Sequence, residues 1–561
     1  MTPILNLKYS SFFIHSPFLL VIWLNLLSPS AIQSQNFPPF EIEIHDSSST
    51  SGYFFILPYQ AMPPFLYEHP MLILDSLART VLYAVIPGTS GMNSTIDFKL
   101  HPNGQMSFFS YLDQKFFIMD STFQVTDTLV TANGFDADPH DMLITEDNHR
   151  FIMATETRTM NLSGYLWFGT NHNQPGSTNA QVQGTVIQEF DENNNLIWEW
   201  KAHDHFAFGD VAEIWLRNPN VVDWTHANAI EQDYDGNILL SQRHFNEITK
   251  IDHLNGNIKW RFGGKNNQFI FSNDPLGFTG QHDIRRQANG HISFLDNGQY
   301  NLITSARGVE YSINELAHTA SLVWEYIPDT GVFSNSLGSH RMSQQGKHLI
   351  DFGRLSEDLP WMVYLKPDKS KILEINCPSG YVSYRAFIYD TLAWSLNRPI
   401  IECVTSGNNY LLEAEPGHPE YRWSTGATTR SIPITQPGTY WVYVPLGIGY
   451  VASEYFTITD IQNPCNLTGI SSSLAESGPW IEVAPNPVSG QAKVTFKTQT
   501  GFSSTLSLTD LTGRVVNQFG GESFAPGEHM VKLETSGLQK GIYLLQLRTG
   551  DQTTAKKLIV I

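Results

Sequence analysis

From residue 35 to residue 401 the hydrophobic positions recur every second residue in short runs, and almost nowhere at the spacing of an amphipathic helix. Many of these runs break at Asn-Gly, Asp-Gly or a similar turn pair and are followed by a second apolar run, so they read as β-hairpins. Comparable hairpins recur along the chain: FKLHPNGQMSFFS from Phe98, HDMLITEDNHRFIMAT from His140, HANAIEQDYDGNILLSQR from His226, QHDIRRQANGHISFLDNG from Gln281 and SHRMSQQGKHLIDFG from Ser339. Between them lie strands that carry tryptophan: LIWEW from Leu196, NIKWRFGG from Asn257 and LVWEY from Leu322. This spacing suits four-stranded blades with inserted loops and predicts a β-propeller of six blades over 35–401. Residues near the start of each innermost strand then gather at one mouth of the central channel. His140, His226, Gln281 with His282, and Ser339 occupy equivalent places in their repeats.

The pattern changes from about Thr405. Over 402–468, YLLEAEPGHPEYRWSTGATTRSIPITQPGTYWVYV gives short alternating strands around a Trp423–Gly426 turn, which predicts a small immunoglobulin-like sandwich. A polar linker follows at 469–479, and 480–561 reads as a further β-sandwich, so the fold class is all-β throughout. At the other end, Lys8 precedes an apolar run from Pro17 to Leu27 and then small or polar residues, the layout of a signal peptide over 1–34. That run is shorter than the ~20 residues a spanning helix needs, and no later stretch is long and apolar enough, so no transmembrane segment is expected after signal cleavage.

With 561 residues the chain exceeds one ordinary core, in keeping with several domains. Its net charge of −20 argues against nucleic acid and against an anionic membrane surface as partners. A small anionic substrate is compatible with it if a pocket concentrates positive charge. The three cysteines, Cys377, Cys403 and Cys465, make no disulfide scaffold and no CxxC motif, although a Cys403–Cys465 bridge would pin the ends of the sandwich.

The chemistry sits at the hairpin starts. Turns do not require imidazole or guanidinium, yet His140, His226 and His282 recur at matching places with Arg243 and Asn228 beside them. Imidazole is nucleophilic near neutral pH because its pKa lies there. A guanidinium grips tetrahedral oxyanions such as phosphate or sulfate with two parallel hydrogen bonds, and His and Asn donors can hold the remaining oxygens. No GxxxxGK[ST] loop is present to hold a nucleotide donor. Metal ligation by His140, His226 and His282 is the competing reading, since three imidazoles can hold zinc. Arg243 counts against it, because a cation beside a cation is costly. Trp224, Phe245 and Phe278 are candidates for the walls of an aromatic site or for packing between blades.

Ordered motifs carry two resemblances. Asp-Pro-His140-Asp, Thr225-His226-Ala227-Asn228, Ser241-Gln242-Arg243-His244, the Trp260–Gly264 strand end, Gln281-His282-Asp283, Asp296-Asn297-Gly298 and SYRA from Ser383 resemble the bacterial arylsulfotransferase family from about Asp138 to Ala386. The resemblance implies a six-bladed propeller that works without cofactor, independent of the nucleotide donor PAPS. It implies transfer of a sulfuryl group from a small aryl sulfate to a phenolic acceptor through a sulfohistidine. In those terms His282 would be the nucleophile, Arg243, His226 and Asn228 would hold the sulfuryl oxygens, His140 would handle the phenol proton, and Ser339 would add a polar contact at the same mouth. The chain departs from some relatives in having no cysteine pair within the propeller. APNP from Ala484, LTDLTGRVV from Leu508, LQKGIYLLQL from Leu538 and the end KKLIVI resemble the C-terminal sorting domain of type IX secretion substrates. That implies the type IX machinery as partner, export across a bacterial outer membrane, and a secreted or surface location. A non-catalytic surface propeller that binds sulfated or anionic glycans is the alternative reading.

Overall fold

The computed structural model describes residues 40–560 except 61–68, 87–94, 167–173, 300–304, 329–330, 332–333, 355–360, 377–379, 408, 463, 466–479, 485, 487, 499–503, 511–513, 525–526 and 550–551. The expected signal peptide at 1–34 and the linker at 469–479 lie outside the described residues. Two compact units divide the chain, Met1–Gln462 and Asn463–Ile561. Among the described residues regular helix is confined to short 3-10 turns, and no helix is long and apolar enough to cross a membrane.

Among the described residues six sheets form the propeller, antiparallel except where Val221–Asp223 and Ile270–Phe271 add parallel pairs to the third and fifth. The second blade is Thr95–Leu100, Met106–Ser110, Lys115–Met119 and Val125–Leu129; the third is Asp136–Ile144, Arg150–Met160, Ala180–Phe190 and Leu196–Lys201. The fourth is Ala227–Gln232, Ile238–Gln242, Glu247–Ile251 and Ile258–Gly263; the fifth is His282–Arg286, Ile292–Asp296, Arg307–Asn314 and Thr319–Tyr326. The sixth is Ser339–Met342, His348–Asp351, Met362–Leu365 and Lys371–Asn376, with Glu41–Ile44 added at its outer edge. The first blade is built from both ends of the ring. Tyr381–Tyr389 takes the innermost place beside Tyr53–Gln60, with Tyr53 opposite Tyr389 and Gln60 opposite Tyr381, followed by Pro70–Leu74 and Thr80–Val85. This pairing ties the last strand of the ring to the first, and the innermost strands of all six blades are neighbours in cyclic order.

Apolar side chains from facing sheets fill the spaces between blades, for example Trp224, Ile230 and Leu240 with Met153 and Ile187, or Phe262 and Trp260 with Phe294 and Tyr311. The tryptophan strands have a physical role in this packing. Trp200 on the outer strand of the third blade donates Nε1–H to Gly256 O in a turn of the fourth at 2.9 Å. Trp324, on the outer strand of the fifth blade, donates to Pro367 O in the sixth at 3.0 Å.

The innermost strands also carry charge into the axis. Lys99 pairs with Asp97 at 2.5 Å and with Asp141, and Arg385 reaches Asp97, Asp141 and Asp283 at 3.1–3.2 Å. Arg285 bonds Asp141, Asp283 and Glu231, and Arg341 bonds Asp283 at 2.7 Å. Four cations face four carboxylates, so the channel is plugged by a neutral, interlocked ionic core.

Residues 401–458 add small sheets that share one core containing Leu412, Trp423, Tyr440, Val442, Val451 and Ile458. One of these sheets continues the first blade outward, because Gly449–Ala452 pairs with Thr80–Val85. Cys403 and Cys465 are each disulfide-bonded. In the second unit a three-stranded and a four-stranded sheet enclose a core of Ile481, Val494, Phe496, Leu506, Leu508, Leu545 and Leu558, a β-sandwich.

Candidate active site

The inner strands are irregular where the histidines lie. Register breaks fall between Ile96 and Lys99, between the pairs around Asp138–Asp141, between Ala227 and Ala229, and between His282 and Arg285. Such bulges re-aim side chains that a regular strand would alternate between its two faces. His226 at φ 44° and Asp283 at φ 66° lie in the left-handed region, sparsely used by residues with a β-carbon. The motifs DPHD, THAN and QHDI are therefore bulges that aim imidazoles at the channel mouth.

Arg243 opens a 3-10 turn, Arg243–Phe245, at the end of the second strand of the fourth blade. The Gly263-Gly264 pair makes room for it: a β-carbon on Gly264 would lie 2.4 Å from Phe245 O, and one on Gly263 2.5 Å from Phe278 Cζ. The Arg243 amide bonds His226 O at 3.1 Å, fixing the turn to the start of the inner strand. Its guanidinium is held at one nitrogen by Gln299 Oε1 and Asn335 O, each at 3.0 Å, and lies 4.3 Å from the ring centre of Trp215.

Three of the expected histidines come together here. The His140 and His226 rings are 5.0 Å apart, and His282, Arg243, His226 and His140 are close enough to act on one another's proton affinity. Each imidazole is anchored through Nδ1: His140 on Asp138 at 2.7 Å, His226 on Asp223 at 2.5 Å and His282 on Asn297 Oδ1 at 2.7 Å. Two backing groups are carboxylates and the third is a neutral amide. Burial pulls the pKa of His140 down, but the charge and hydrogen bond of Asp138, helped by Asp223, outweigh it and leave the pKa raised. Burial lowers His226 in spite of Asp223. His282 is driven well below the usual imidazole range by burial and by the Arg243 guanidinium, so it is held neutral.

Asn228 is fully buried and donates from Nδ2 to Gln281 O at 2.7 Å, so it braces the residue before His282. Ser339 is spent elsewhere. Its hydroxyl both donates to Ala386 O at 2.9 Å and accepts from Ala386 N at 3.1 Å, stitching the sixth blade to the first with no exposed surface. Trp224, Phe245 and Phe278 belong to the packing between blades, each at most 3% exposed.

Three residues at the mouth were not singled out in the sequence. Trp215, on a turn inserted between the third and fourth blades, stacks on His244 with centroids 4.2 Å apart, and His244 stacks on His226 at 4.5 Å. Tyr384 bridges His140 O and Asn228 O through its hydroxyl, forming the floor above the ionic core. His244 and Tyr384 stand inside quoted motifs, whereas Trp215 has no repeat counterpart to mark it. A metal would find Asp223, His226 and His244, whose ligand atoms lie within 4.8 Å of one another, in place of the His140, His226 and His282 set. Arg243 Nη1 stands 3.4 Å from His244 Nε2, so a guanidinium already faces that position.

The fold and mouth define an all-β propeller with a histidine-rich channel entrance that holds one arginine, Arg243. Residues 66–385 match the arylsulfotransferase (ASST) family, and the chain belongs to it. Residues 482–561 match the secretion system C-terminal sorting domain, which directs the protein to the cell surface or outside. No curated protein matches the chain. Similar solved structures include a protein of unknown function from Bacteroides caccae, 10% identical, covering 60% of this chain and 98% of that one with a TM-score of 0.36. A catalytically inactive virginiamycin B lyase from Staphylococcus aureus is 9% identical, covering 67% and 97% with a TM-score of 0.32. PorZ of the Porphyromonas gingivalis type-IX secretion system is 11% identical, covering 88% and 68% with a TM-score of 0.24. Scores of this size carry no functional argument.

Proposed function

We propose that this exported protein transfers a sulfuryl group from an aryl sulfate to a phenol, with His282 Nε2 as the nucleophile. The observation that carries the proposal is the difference in backing: a neutral amide behind His282, carboxylates behind His140 and His226. A nucleophile must present a lone pair, and the neutral, low-pKa ring does so. An acid must hold a proton near neutral pH, and His140 is the ring whose pKa is raised.

In the first half-reaction Nε2 of His282 gives up the Leu337 amide hydrogen bond and its lone pair bonds sulfur, the sulfur–aryl oxygen bond breaks, and the departing oxygen takes the His140 proton. The sulfuryl group then rests on Nε2 while Nδ1–H stays on Asn297. In the second half-reaction an acceptor phenol gives its proton to His140, its oxygen bonds sulfur, and the N–S electrons return to Nε2. Arg243 stabilises charge spread over the sulfuryl oxygens, at about 3 kcal/mol for a strong, preorganised donor, while a neutral His226 gives its one N–H to Asp223 and has none left for them. Asn228 supports this arrangement from behind.

The test is incubation of the purified protein with 4-nitrophenyl sulfate, with and without phenol. Phenol-dependent nitrophenol release is expected, and mass spectrometry of acceptor-free, quenched protein should find one added SO3 on the peptide that holds His282. His282→Asn should abolish both. Release without acceptor would make the protein a sulfatase, and binding of the ester without turnover would favour the glycan-binding alternative.

A further inference from the structure

The His282 ring is held at both nitrogens by groups whose donor and acceptor directions can be traced to the backbone. Asn297 Nδ2 donates to Ser334 Oγ at 3.0 Å and to Leu337 O at 3.1 Å. Ser334 Oγ in turn donates to Phe352 O at 2.6 Å, so toward Asn297 it can only accept. With its amide nitrogen committed to these acceptors, Asn297 has its carbonyl oxygen turned to His282 Nδ1, 2.7 Å away, and Nδ1 must carry the proton. On the opposite side of the ring the Leu337 amide donates to Nε2 at 3.2 Å, which needs a lone pair there. Both ends of the chain of bonds give the same answer.

We infer that Asn297 is the positioning residue that fixes the proton of His282 on Nδ1 and leaves Nε2 as the only nitrogen able to accept a transferred group. A tautomer dictated through a second residue by backbone carbonyls is set by the fold, so it does not wait for substrate. An amide also differs from a carboxylate in its effect on the sulfated ring. Once Nε2 bears a sulfuryl group, Nδ1–H is strongly acidic; an amide oxygen accepts its hydrogen bond but does not take the proton. The ring therefore stays cationic and leaves readily in the second half-reaction. An aspartate there would raise the proton affinity of His282 before reaction and draw the Nδ1 proton from the intermediate after it.

The groups facing His282 support this division. Arg243 reaches it from the fourth blade, and His226 and His140 from the fourth and third. Asp283, next in sequence, is engaged by Arg285, Arg341 and Arg385. Asp296, next to Asn297, is held by Arg307 at 2.9 Å. Asp351 on the sixth blade receives the Gly353 amide at 2.8 Å. Asp283 and Asp296 are thus engaged by arginines, burial raises the pKa of Asp351 to about 7, and Asn297 is the group on Nδ1 of the His282 ring.

The inference rests on the sulfuryl-transfer proposal only for its kinetic arm, and the experiment separates the two. Ring 15N NMR of histidine-labelled full-length protein without substrate, with His282 assigned by loss in His282→Asn, should show a single Nδ1–H tautomer near neutral pH. Asn297→Asp should raise the titration midpoint of His282 by at least about one pH unit. In donor kinetics with 4-nitrophenyl sulfate the acid limb of kcat/KM should rise by the same interval. That makes the variant about tenfold slower than wild type well below the limb, with the gap narrowing as pH rises. Ser334→Ala leaves Asn297 in place but loosens its amide, and should admit a minor fraction of the other tautomer; it serves where thermal melting shows that Asn297→Asp fails to fold. An unchanged tautomer and midpoint in the variants, or a loss of rate equal at every pH, would overturn the inference. An NMR shift in a protein that never turns over would retain Asn297 as the positioning residue and remove the transferase reading.

Discussion

At the scale of single residues the candidate site separates three chemically identical side chains by what stands behind each ring. His140 has Asp138, His226 has Asp223, and His282 has Asn297. That difference sets the sign of the pH dependence. In the proposed mechanism donor kcat/KM requires His282 neutral and His140 protonated, so it should fall on acidification through the lowered pKa of His282 and on alkalinisation through the raised pKa of His140. His140→Gln should remove the alkaline limb. Its cost should be small for 4-nitrophenyl sulfate, whose leaving group needs little protonation, and about 10²-fold for phenyl sulfate. Equal losses for both donors would remove His140 from the proton-transfer role. Arg243 was legible as a guanidinium beside the histidines, but its pairing with Trp215 was not, because Trp215 comes from an insertion with no counterpart in other blades.

At the scale of elements the blades repeat a packing scheme and break it at their inner ends. One seam has a measurable consequence. Between the fifth and sixth blades His340 Nε2 lies 2.9 Å from His348 Nδ1, and the His348 ring stacks on Trp324 with centroids 3.7 Å apart. Burial pushes His340 down to about 4, and burial together with the neighbouring His340 ring pushes His348 down to about 2. A depressed histidine pKa contributes stability that is complete above the unfolded value near 6.5 and is lost as pH falls toward the folded value. The unfolding midpoint in urea should therefore decline from pH 7 to pH 5, and His348→Gln should flatten that decline. A seam variant with the same acid slope as wild type would place the sensitivity elsewhere.

At the scale of the whole molecule, the candidate site is a product of ring closure. The pairing of Tyr53–Gln60 with Tyr381–Tyr389 brings Tyr384 and Arg385 under residues contributed by strands far earlier in the chain. Arg385 is 3% exposed and answers three carboxylates at once, Asp97, Asp141 and Asp283. Replacing one member of such a buried network leaves the others uncompensated, so Arg385→Gln should cost about 3–5 kcal/mol in urea unfolding. A loss below about 1 kcal/mol would mean that the axis is well hydrated and the plug weaker than its geometry suggests.

Alternation at every second residue, turn pairs at regular intervals and repeated tryptophans determined the all-β propeller from sequence, because these signals are local and the physics of hairpins is local. The equivalent positions of His140, His226 and His282 came from the same repeat, and their meeting came from counting blades. The repeat also misled. Ser339 stands in the matching place, yet its hydroxyl is consumed by Ala386, a partner 47 residues away. Which imidazole stays neutral, which holds a proton and which nitrogen faces outward were decided only in three dimensions. They depend on burial and on hydrogen bonds that join Asn297 of the fifth blade to Ser334 and Leu337 in the connection to the sixth and, through Ser334, to Phe352 of the sixth.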